Sequence, residues 1–237
     1  MSGTMRSLPH TSVQTSVTDQ LAMSILEGSW KVGQATTLDE IQHTYNVSRS
    51  IARDVINHLE TLGVVKAKQR VGIIALNPDD WDGLNSEVVS WKLAGPQRFK
   101  QICALEEIRR AVEPVAASAT ATRASEEIKH HLLDAAQHMI DGAERKDHEF
   151  FHRNDLDFHL TIVESCNNAI FASLARSAFS VFQYDLVADV FPPGYNFPTA
   201  RMHNDVAVAI SDGDSAGAFD GMIRIMDYIY DTLDMKA

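Results

Sequence analysis

The stretch from Thr37 to Gly63 constrains the fold most, because apolar residues recur at helical spacing on both sides of a tight turn. Thr37 and Glu40 predict a capping box at the start of the first helix, and Ser48 predicts the N-cap of the second. The second helix then begins with hydroxyl and guanidinium side chains, which are those of Ser48, Arg49, Ser50 and Arg53. This layout is typical of a recognition helix that enters the major groove of DNA. An ordinary helical hairpin with a solvated basic corner is the alternative interpretation.

The segments on either side of this hairpin favour DNA binding. A first helix is predicted from about Ser16 to Glu27, where Gly28 ends it. Gly63 lies just past the last apolar residue of the hairpin's second helix, where a left-handed C-cap conformation is needed. After it, two β-prone runs flank Gln69-Arg70-Val71-Gly72, which indicates a two-stranded ribbon with a basic tip. Three helices followed by such a ribbon form a winged helix-turn-helix. We assign it to residues 16–77 and expect residues 1–15 to be a disordered tail.

Charge is distributed unevenly along the chain, whose formal net charge is −11. Residues 1–78 hold seven Lys or Arg and six Asp or Glu, whereas the remainder holds 14 and 26. The near-neutral first part suits contact with phosphate, and the acidic remainder would be repelled from it. No apolar run reaches the roughly 20 residues of a membrane span, and two unclustered cysteines favour a reducing compartment. We therefore expect a soluble, cytoplasmic protein.

The rest of the chain predicts one helix after another. Pro78-Asp79-Asp80 marks a domain boundary, and residues 78–96 form a linker with a helix that Asn85 can cap. Residues 97–237 predict about six helices in an all-α antiparallel bundle, large enough to hold a ligand and to serve in dimerisation. Helix boundaries are expected near residues 123–125, Gly142, residues 167–168, a loop at residues 191–198, and residues 212–214. The predicted fold class is mostly α.

Asp155 and His159 are four residues apart in a helical stretch, so they share one face of a helix. Together with His203, near the start of a later helix, they make a reasonable ligand set for zinc, nickel or manganese. His152 lies on the same face as Asp155 and is a competing ligand. The alternative is a surface Asp-His pair and an unrelated histidine, which spacing alone favours in a chain with ten histidines.

Arg109 lies on a helix whose inner side is otherwise apolar. An arginine on that side needs an anionic partner, which would be Glu113 at i+4 or the carboxylate of a bound molecule. A surface ion pair is the alternative. The sequence has no Ser-His-Asp order, phosphate-binding glycine loop or CxxC motif, so these features do not predict an enzyme.

The order of these features resembles GntR-type transcription regulators, specifically the FadR subfamily with its all-helical FCD ligand domain. The resemblance covers nearly all residues from about 17 to 235. In the N-terminal part it is carried by Gly28, Gly33, Leu38, Ile41, residues 45–49, Arg53, Leu59, Leu62, Gly63 and Gly72. In the helical part it is carried by residues 107–109 and 112–114, Asp155, Phe158, His159, Asn168, His203, Ala209, Ile210, Gly213, Asp214 and Ala218.

The resemblance implies a homodimer that binds a pseudo-palindromic operator in double-stranded DNA. It also implies that the dimer releases the operator, or binds it differently, when a small carboxylate effector binds the bundle. It implies DNA contacts from Arg49, Ser50, Arg53 and Gly72, and we also expect contacts from Thr37, Ser48 and Arg70. It implies three of the family's four metal ligands at Asp155, His159 and His203. Effector contacts are expected from Arg109, Glu113 and Asn168.

Two positions depart from the family pattern. Before the second helix the family carries a basic residue in a Pro-Ser-Glu-Arg-like run, whereas this chain has Thr36-Thr37-Leu38-Asp39-Glu40, so one phosphate contact is lost. The fourth metal ligand, a histidine on the last helix, is replaced by Ile225. Three protein ligands can still hold a metal when water or the effector completes the shell. The linker and the missing histidine most resemble regulators of sugar-acid catabolism of the galactonate type.

The predicted function is a metabolite-responsive transcription regulator, more specifically a repressor that releases DNA when a small carboxylate such as a sugar acid binds. One alternative is a metal-dependent enzyme in which Asp155, His159 and His203 hold a catalytic ion. A second alternative is an architectural DNA-binding protein without a ligand, which predicts an apolar bundle interior. Charged residues pointing into one interior site would count against the second alternative.

Overall fold

A computed structural model describes residues 13–179 and 196–234. The chain divides into two compact units between Arg98 and Phe99. Most of the predicted tail, and residues 191–195 of the predicted loop, lie outside the described residues. We refer to the described residues up to 98 as the head and to those from 99 onward as the helical unit.

Three helices form most of the head, namely α1 Val13–Leu26, α2 Leu38–Tyr45 and α3 Arg49–Thr61. The predicted capping box is present, since the Thr37 hydroxyl accepts from the Glu40 amide and the Glu40 carboxylate accepts from the Thr37 amide. Ser48 caps α3 by accepting from the Ile51 amide. A left-handed Asn46, with φ at 51°, makes the turn between α2 and α3. Local sequence signals thus set where both helices of the hairpin begin.

The core of the head is built where the apolar faces of α1 and α3 meet. Leu21 and Ile25 of α1, and Val55 and Leu59 of α3, are spaced by one helical turn and are at most 3% exposed. Gly63 takes a left-handed conformation, with φ at 71°, and turns the chain from α3 towards the sheet as predicted.

The ribbon after α3 is part of a three-stranded antiparallel sheet, formed by β1 Ala35–Thr36, β2 Val65–Lys68 and β3 Gly72–Ala75. β2 and β3 form the predicted hairpin, with Lys68 opposite Gly72. β1 pairs with the other edge of β3. The prediction of a two-stranded ribbon was wrong on this point, because a strand of two residues is too short to show the alternation that marks a strand.

The helix that follows the sheet, α4 Ser86–Ala94, belongs to the head and is capped by Asn85 as predicted. The Trp91 indole donates to the Asp19 carboxylate of α1 at 2.8 Å. The ring of Trp81 stands edge-on to that of Trp91, with centroids 6.4 Å apart. α4 therefore contributes to the same apolar core as α1 and α3.

The second unit is helical throughout its described residues. The helices within these described residues are α5 Arg98–Arg123, α6 Glu126–Arg145, α7 His148–Ser165, α8 Ala169–Phe179, α9 Asn196–Ser211 and α10 Ser215–Asp234. Three of the breaks between them agree with the predicted boundaries, and the predicted fold class is confirmed. None of the helices in the described ranges is long and apolar enough to cross a membrane.

The sequence predicts a helix boundary at Gly142, but α6 continues through it to Arg145. A Cβ added to this glycine would lie 3.1 Å from the backbone nitrogen of Phe151 in α7. The glycine therefore allows a close approach of two helices and does not end one. The helix ends at Lys146, whose φ of 57° is left-handed.

Candidate functional site

Asp155 and His159 of α7 and His203 of α9 converge in the interior of the helical unit. The Nε2 atoms of the two histidines are 2.9 Å apart. The Asp155 Oδ1 oxygen lies 3.2 Å from His203 Nε2 and 3.7 Å from His159 Nε2. Both imidazoles are at most 2% exposed, so the alternative of a surface Asp-His pair does not apply.

The Nδ1 atom of each histidine, on the other side of the ring from Nε2, faces an oxygen outside the three-residue cluster. His203 Nδ1 lies 2.7 Å from the Thr199 carbonyl oxygen, which can only accept, so this Nδ1 donates. His159 Nδ1 lies at the ion-pair distance of 2.5 Å from Glu113 Oε2, although neither atom has a partner in full hydrogen-bonding geometry. When both rings are neutral, the proton is on Nδ1, so the lone pair of each Nε2 faces Asp155. Carbonyls and carboxylates orient metal-binding histidines in this way.

Arg109 of α5 is buried and pairs with two carboxylates on its own helix. Its Nε donates to Glu113 Oε1 at 2.7 Å, and its Nη1 donates to Glu106 Oε1 at 3.0 Å. The arginine therefore points inward and contacts Glu113, which excludes the alternative interpretation of Arg109 as part of a surface ion pair. The sequence-based prediction did not include Glu106. Its position three residues before Arg109, on the same face of α5, is the signal that would have identified it.

The buried groups hold each other in charged forms. Burial raises the pKa of Glu113, but Arg109 and His159 lower it to about 2. Burial lowers the pKa of His159, but Glu113 and Asp155 raise it to about 9, against an opposing effect of Arg109. Burial also raises the pKa of Asp155, yet the nearby imidazoles of His159 and His203 hold it well below its ordinary value. In Glu106 burial outweighs Arg109, so its pKa is raised.

The Asp-His-His cluster fits a divalent metal ion. Asp155 Oδ1 is buried and has no hydrogen-bond partner. Ligand atoms about 2.1 Å from a zinc-like ion lie roughly 3.0–3.4 Å apart in octahedral or tetrahedral geometry, and the three separations here are 2.9, 3.2 and 3.7 Å. Two imidazole nitrogens with one carboxylate oxygen are a donor set for zinc, nickel or manganese. Ile225 of α10 is buried and supplies no ligand atom.

Two other candidate residues have different surroundings. Among the described residues, His152 is not part of the three-residue cluster. Asn168 caps α8, since its Oδ1 accepts from the amides of Ile170 and Phe171. The structure therefore brings together Arg109, Glu113 and the three metal-ligand candidates, and it assigns Asn168 a role in starting a helix.

The candidate DNA contacts on α3 lie on the exposed surface of the head. Arg49, Ser50 and Arg53 are all exposed. Ser48 Oγ accepts from the Ile51 amide and lies 2.9 Å from Ser50 Oγ. The start of α3, from its N-cap to Arg53, thus carries two cations and two hydroxyls on the exposed surface, a combination suited to base edges and phosphates.

The candidate contacts on the sheet and on α2 also have structural roles. Arg70 is at the tip of the hairpin, with a left-handed φ of 65°. Gly72 has φ at 113°, and a Cβ there would lie 2.5 Å from the Thr36 carbonyl oxygen. Only glycine fits this position without a backbone shift. Thr37 uses its hydroxyl in the capping box of α2.

Family comparison assigns both units of the chain. The model for bacterial regulatory proteins of the gntR family matches residues 13–74, and the FCD domain model matches residues 104–228. The chain belongs to the gntR family. As a gntR-family regulator with an FCD domain it binds DNA and regulates transcription, which confirms the predicted family and function class.

Curated relatives of this gntR-family regulator cover most of its length. The galactonate operon transcriptional repressor of Escherichia coli K12 is 27% identical over 204 residues, which are 83% of this chain and 86% of that protein. The HTH-type transcriptional regulator YieP of the same strain is 26% identical over 204 residues, with 84% and 86% covered. LutR of Bacillus subtilis 168 is 26% identical over 160 residues, with 66% and 69% covered. These relatives are transcriptional regulators and not enzymes.

Solved structures support the fold of the gntR-family regulator. The structure of Lar, which controls the expression of the Listeria monocytogenes agr system, superposes with a TM-score of 0.66 at 14% identity, covering 97% of this chain and 100% of Lar. Escherichia coli McbR/YncC superposes with a TM-score of 0.52 at 14% identity, covering 95% and 99%.

Proposed function

We propose that this gntR-family regulator is a repressor whose operator binding is relieved when a small carboxylate, such as a sugar acid, binds inside the helical unit. The observation that carries this proposal is the buried convergence of Asp155, His159 and His203 next to the Arg109–Glu113 pair. An architectural DNA-binding protein without a ligand has no use for so many buried charges, because each is costly to bury unless it is paired or bound. The relationship to a galactonate operon repressor supports a sugar acid as the effector class.

Asp155, His159 and His203 would hold the divalent ion, and zinc, nickel or manganese would supply a positive centre to which a carboxylate can bind. Glu113 and the Thr199 carbonyl keep the two imidazoles oriented. Because Ile225 supplies no ligand, the coordination shell has room for water or the effector.

The role of Arg109 is refined by its two ion pairs. Its Nε and Nη1 donors already serve Glu113 and Glu106. We infer that Arg109 primarily neutralises these two carboxylates, so that the site can accept an anion without net repulsion. Glu113 in turn acts on the effector through His159, which it contacts. Asn168 would contribute by starting α8.

On the DNA side, a homodimer would present two heads to a pseudo-palindromic operator. Arg49, Ser50 and Arg53 would contact base edges and phosphates, and Arg70 and Gly72 would bring the hairpin to the adjoining groove. Thr37 and Ser48 would hold the first turns of α2 and α3 in place through their caps. Effector binding would favour a dimer whose head spacing no longer fits two half-sites in the cytoplasmic DNA.

The proposal is tested by a thermal-shift titration of the full chain with D-galactonate and other sugar acids, with and without a metal chelator. D-galactose is the matched control, because it has the same carbon skeleton without the carboxylate. We expect one or more acids to raise the melting temperature of the protein, but only when no chelator is present. The same acids should release the protein from its operator DNA. The proposal would be overturned if no acid had either effect, or if the protein converted the acid to a product.

A further inference from the structure

Arg49, the first residue of α3, is held by an acidic residue of α2. Its Nη1 donates to Asp39 Oδ1 at 2.8 Å. Gln42 Nε2 donates to the same oxygen at 3.0 Å, which holds the carboxylate in place. The Asp39 and Arg49 side chains are 70% and 63% exposed, so the pair lies on the surface that also carries Ser50 and Arg53.

The stability of the fold does not explain why Asp39 and Arg49 form an ion pair. An exposed ion pair is screened by water and salt and contributes little stability. The start of α2 does not depend on Asp39 either, because Glu40 completes the capping box. The Glu40 carboxylate accepts from the Thr37 amide and the Thr36 hydroxyl, both at 2.8 Å. Of the two acids in this turn, Glu40 thus faces its own helix cap, whereas Asp39 faces the recognition helix.

We propose that Asp39 is a specificity-determining residue, which positions the Arg49 guanidinium to read a base pair and keeps it from neighbouring phosphates. The inference rests on the proposed function, in which Arg49 contacts the operator. A guanidinium reads guanine through two donors that reach O6 and N7. The ion pair restrains the side chain through Nη1, and Nε and Nη2 lie outside that contact.

The charge of Asp39 adds a second effect. Binding to DNA of any sequence comes from Lys and Arg side chains that neutralise phosphates. A carboxylate 2.8 Å from Arg49 weakens this attraction at every sequence. An oriented guanidinium, by contrast, gains its contact only where the matching base pair is present. Asp39 therefore lowers the affinity for non-specific DNA more than the affinity for the operator.

The test finds the operator by selection. The full-length parent protein selects duplexes from a randomised pool, and the enriched duplex and a scrambled duplex of equal composition become the two probes. We expect Asp39→Asn to raise the affinity for the scrambled duplex and to lower the ratio of the two affinities by about tenfold, as expected for a weakened guanidinium–guanine contact. Substitution of the guanine in the enriched duplex should also weaken binding less in this variant than in the parent.

Two further variants separate positioning from charge. Asp54→Asn removes an exposed carboxylate from α3, so it changes the net charge of the head equally, and its affinity ratio should stay near that of the parent. Asp39→Glu keeps a carboxylate and should restore part of the ratio. In an Arg49→Lys background, Asp39→Asn should lower the ratio no further, because the guanidinium fork that it positions is gone.

The outcomes distinguish the two proposals. If the parent protein enriches no sequence, the proposed function fails and the inference fails with it. If the parent enriches a sequence and Arg49→Lys lowers the ratio, but Asp39→Asn matches the parent, the inference alone is overturned. The inference would also be overturned if Asp54→Asn lowered the ratio of the two affinities as much as Asp39→Asn does. It would likewise be overturned if the losses from Arg49→Lys and Asp39→Asn added up in the variant that carries both. Melting curves confirm that all variants are folded.

Discussion

The Nε2 atoms of His159 and His203 face each other at 2.9 Å in the interior of the helical unit. Their Nδ1 atoms are directed at Glu113 and at the Thr199 carbonyl. Two Nε2 lone pairs at this distance repel each other unless a proton or a cation lies between them. The raised pKa of His159, at about 9, shows that the site favours a positive charge at this point. A proton and a metal ion would therefore compete for the same nitrogens.

The first prediction concerns a direct ligand. We expect His203→Ala to weaken zinc binding by at least about 100-fold, since even the loss of an outer partner costs about 10–100-fold. Competition with a chromogenic chelator measures this affinity. His131→Ala is the control, because His131 pairs with Asp157 and is about half exposed. Equal affinities in the two variants would remove His203 from the metal site.

The second prediction concerns an outer partner. Glu113→Gln removes the carboxylate charge next to His159 Nδ1 and should weaken metal binding by about 10–100-fold. Glu106→Gln is the matched control, since Glu106 also pairs with Arg109 and its pKa is already raised. The same chelator competition compares the two. A larger effect of Glu106→Gln would contradict the role of Glu113.

The third prediction concerns the pH dependence of stability without metal. The folded chain raises the pKa of His159 from 6.5 to about 9, so it binds this proton more tightly than the unfolded chain does. The resulting contribution to the free energy of unfolding is complete below pH 6.5 and is lost as the pH rises through about 9.

Urea denaturation of the helical unit in the full chain, followed by far-ultraviolet circular dichroism with chelator present, measures this loss between pH 6.5 and 9.5. His159→Gln lacks the titrating group and should lose less stability over the same interval. Parallel losses in the parent and the variant would show that another group is responsible.

The fourth prediction concerns the recognition helix. Arg49→Ala should weaken binding to an enriched operator duplex by about 1–3 kcal/mol, which is the usual worth of a bidentate contact with a base. Lys31→Ala removes an exposed cation from the segment between α1 and β1 and serves as the control. Fluorescence anisotropy at fixed salt measures both affinities. An unchanged affinity for Arg49→Ala would exclude it from the DNA interface.

The fifth prediction concerns the sheet of the head. Gly33→Ala should cost about 1–2 kcal/mol, because its φ of 79° is left-handed but nothing lies within 4 Å of the added Cβ. Gly72→Ala should cost more, because its Cβ would also meet the Thr36 carbonyl oxygen at 2.5 Å. Tryptophan fluorescence follows the head alone, since all three tryptophans are at positions 30, 81 and 91. Equal costs would contradict the close approach.

Sequence-based prediction succeeded where the deciding interactions are local. The capping box of Thr37 and Glu40, the N-cap Ser48 and the left-handed Gly63 each depend on residues within a few positions. It failed at Gly142, because a glycine that ends a helix and a glycine that admits a neighbouring helix look alike in one sequence. It also did not detect β1, which exists only because β3 offers it an edge.

In the candidate site, too, the sequence predicted the local features, whereas the long-range contacts required the folded structure. Helical periodicity alone placed Asp155 and His159 on one face of α7, because four residues make about one turn. Periodicity also indicated an inward Arg109 with Glu113 beside it, but left a surface pair open. The meeting of α5, α7 and α9 required the folded chain, since the contacts of Glu113 with His159 and of His203 with Asp155 join residues more than 40 positions apart. Such contacts follow from how helices pack, and packing is decided by all of their apolar faces together.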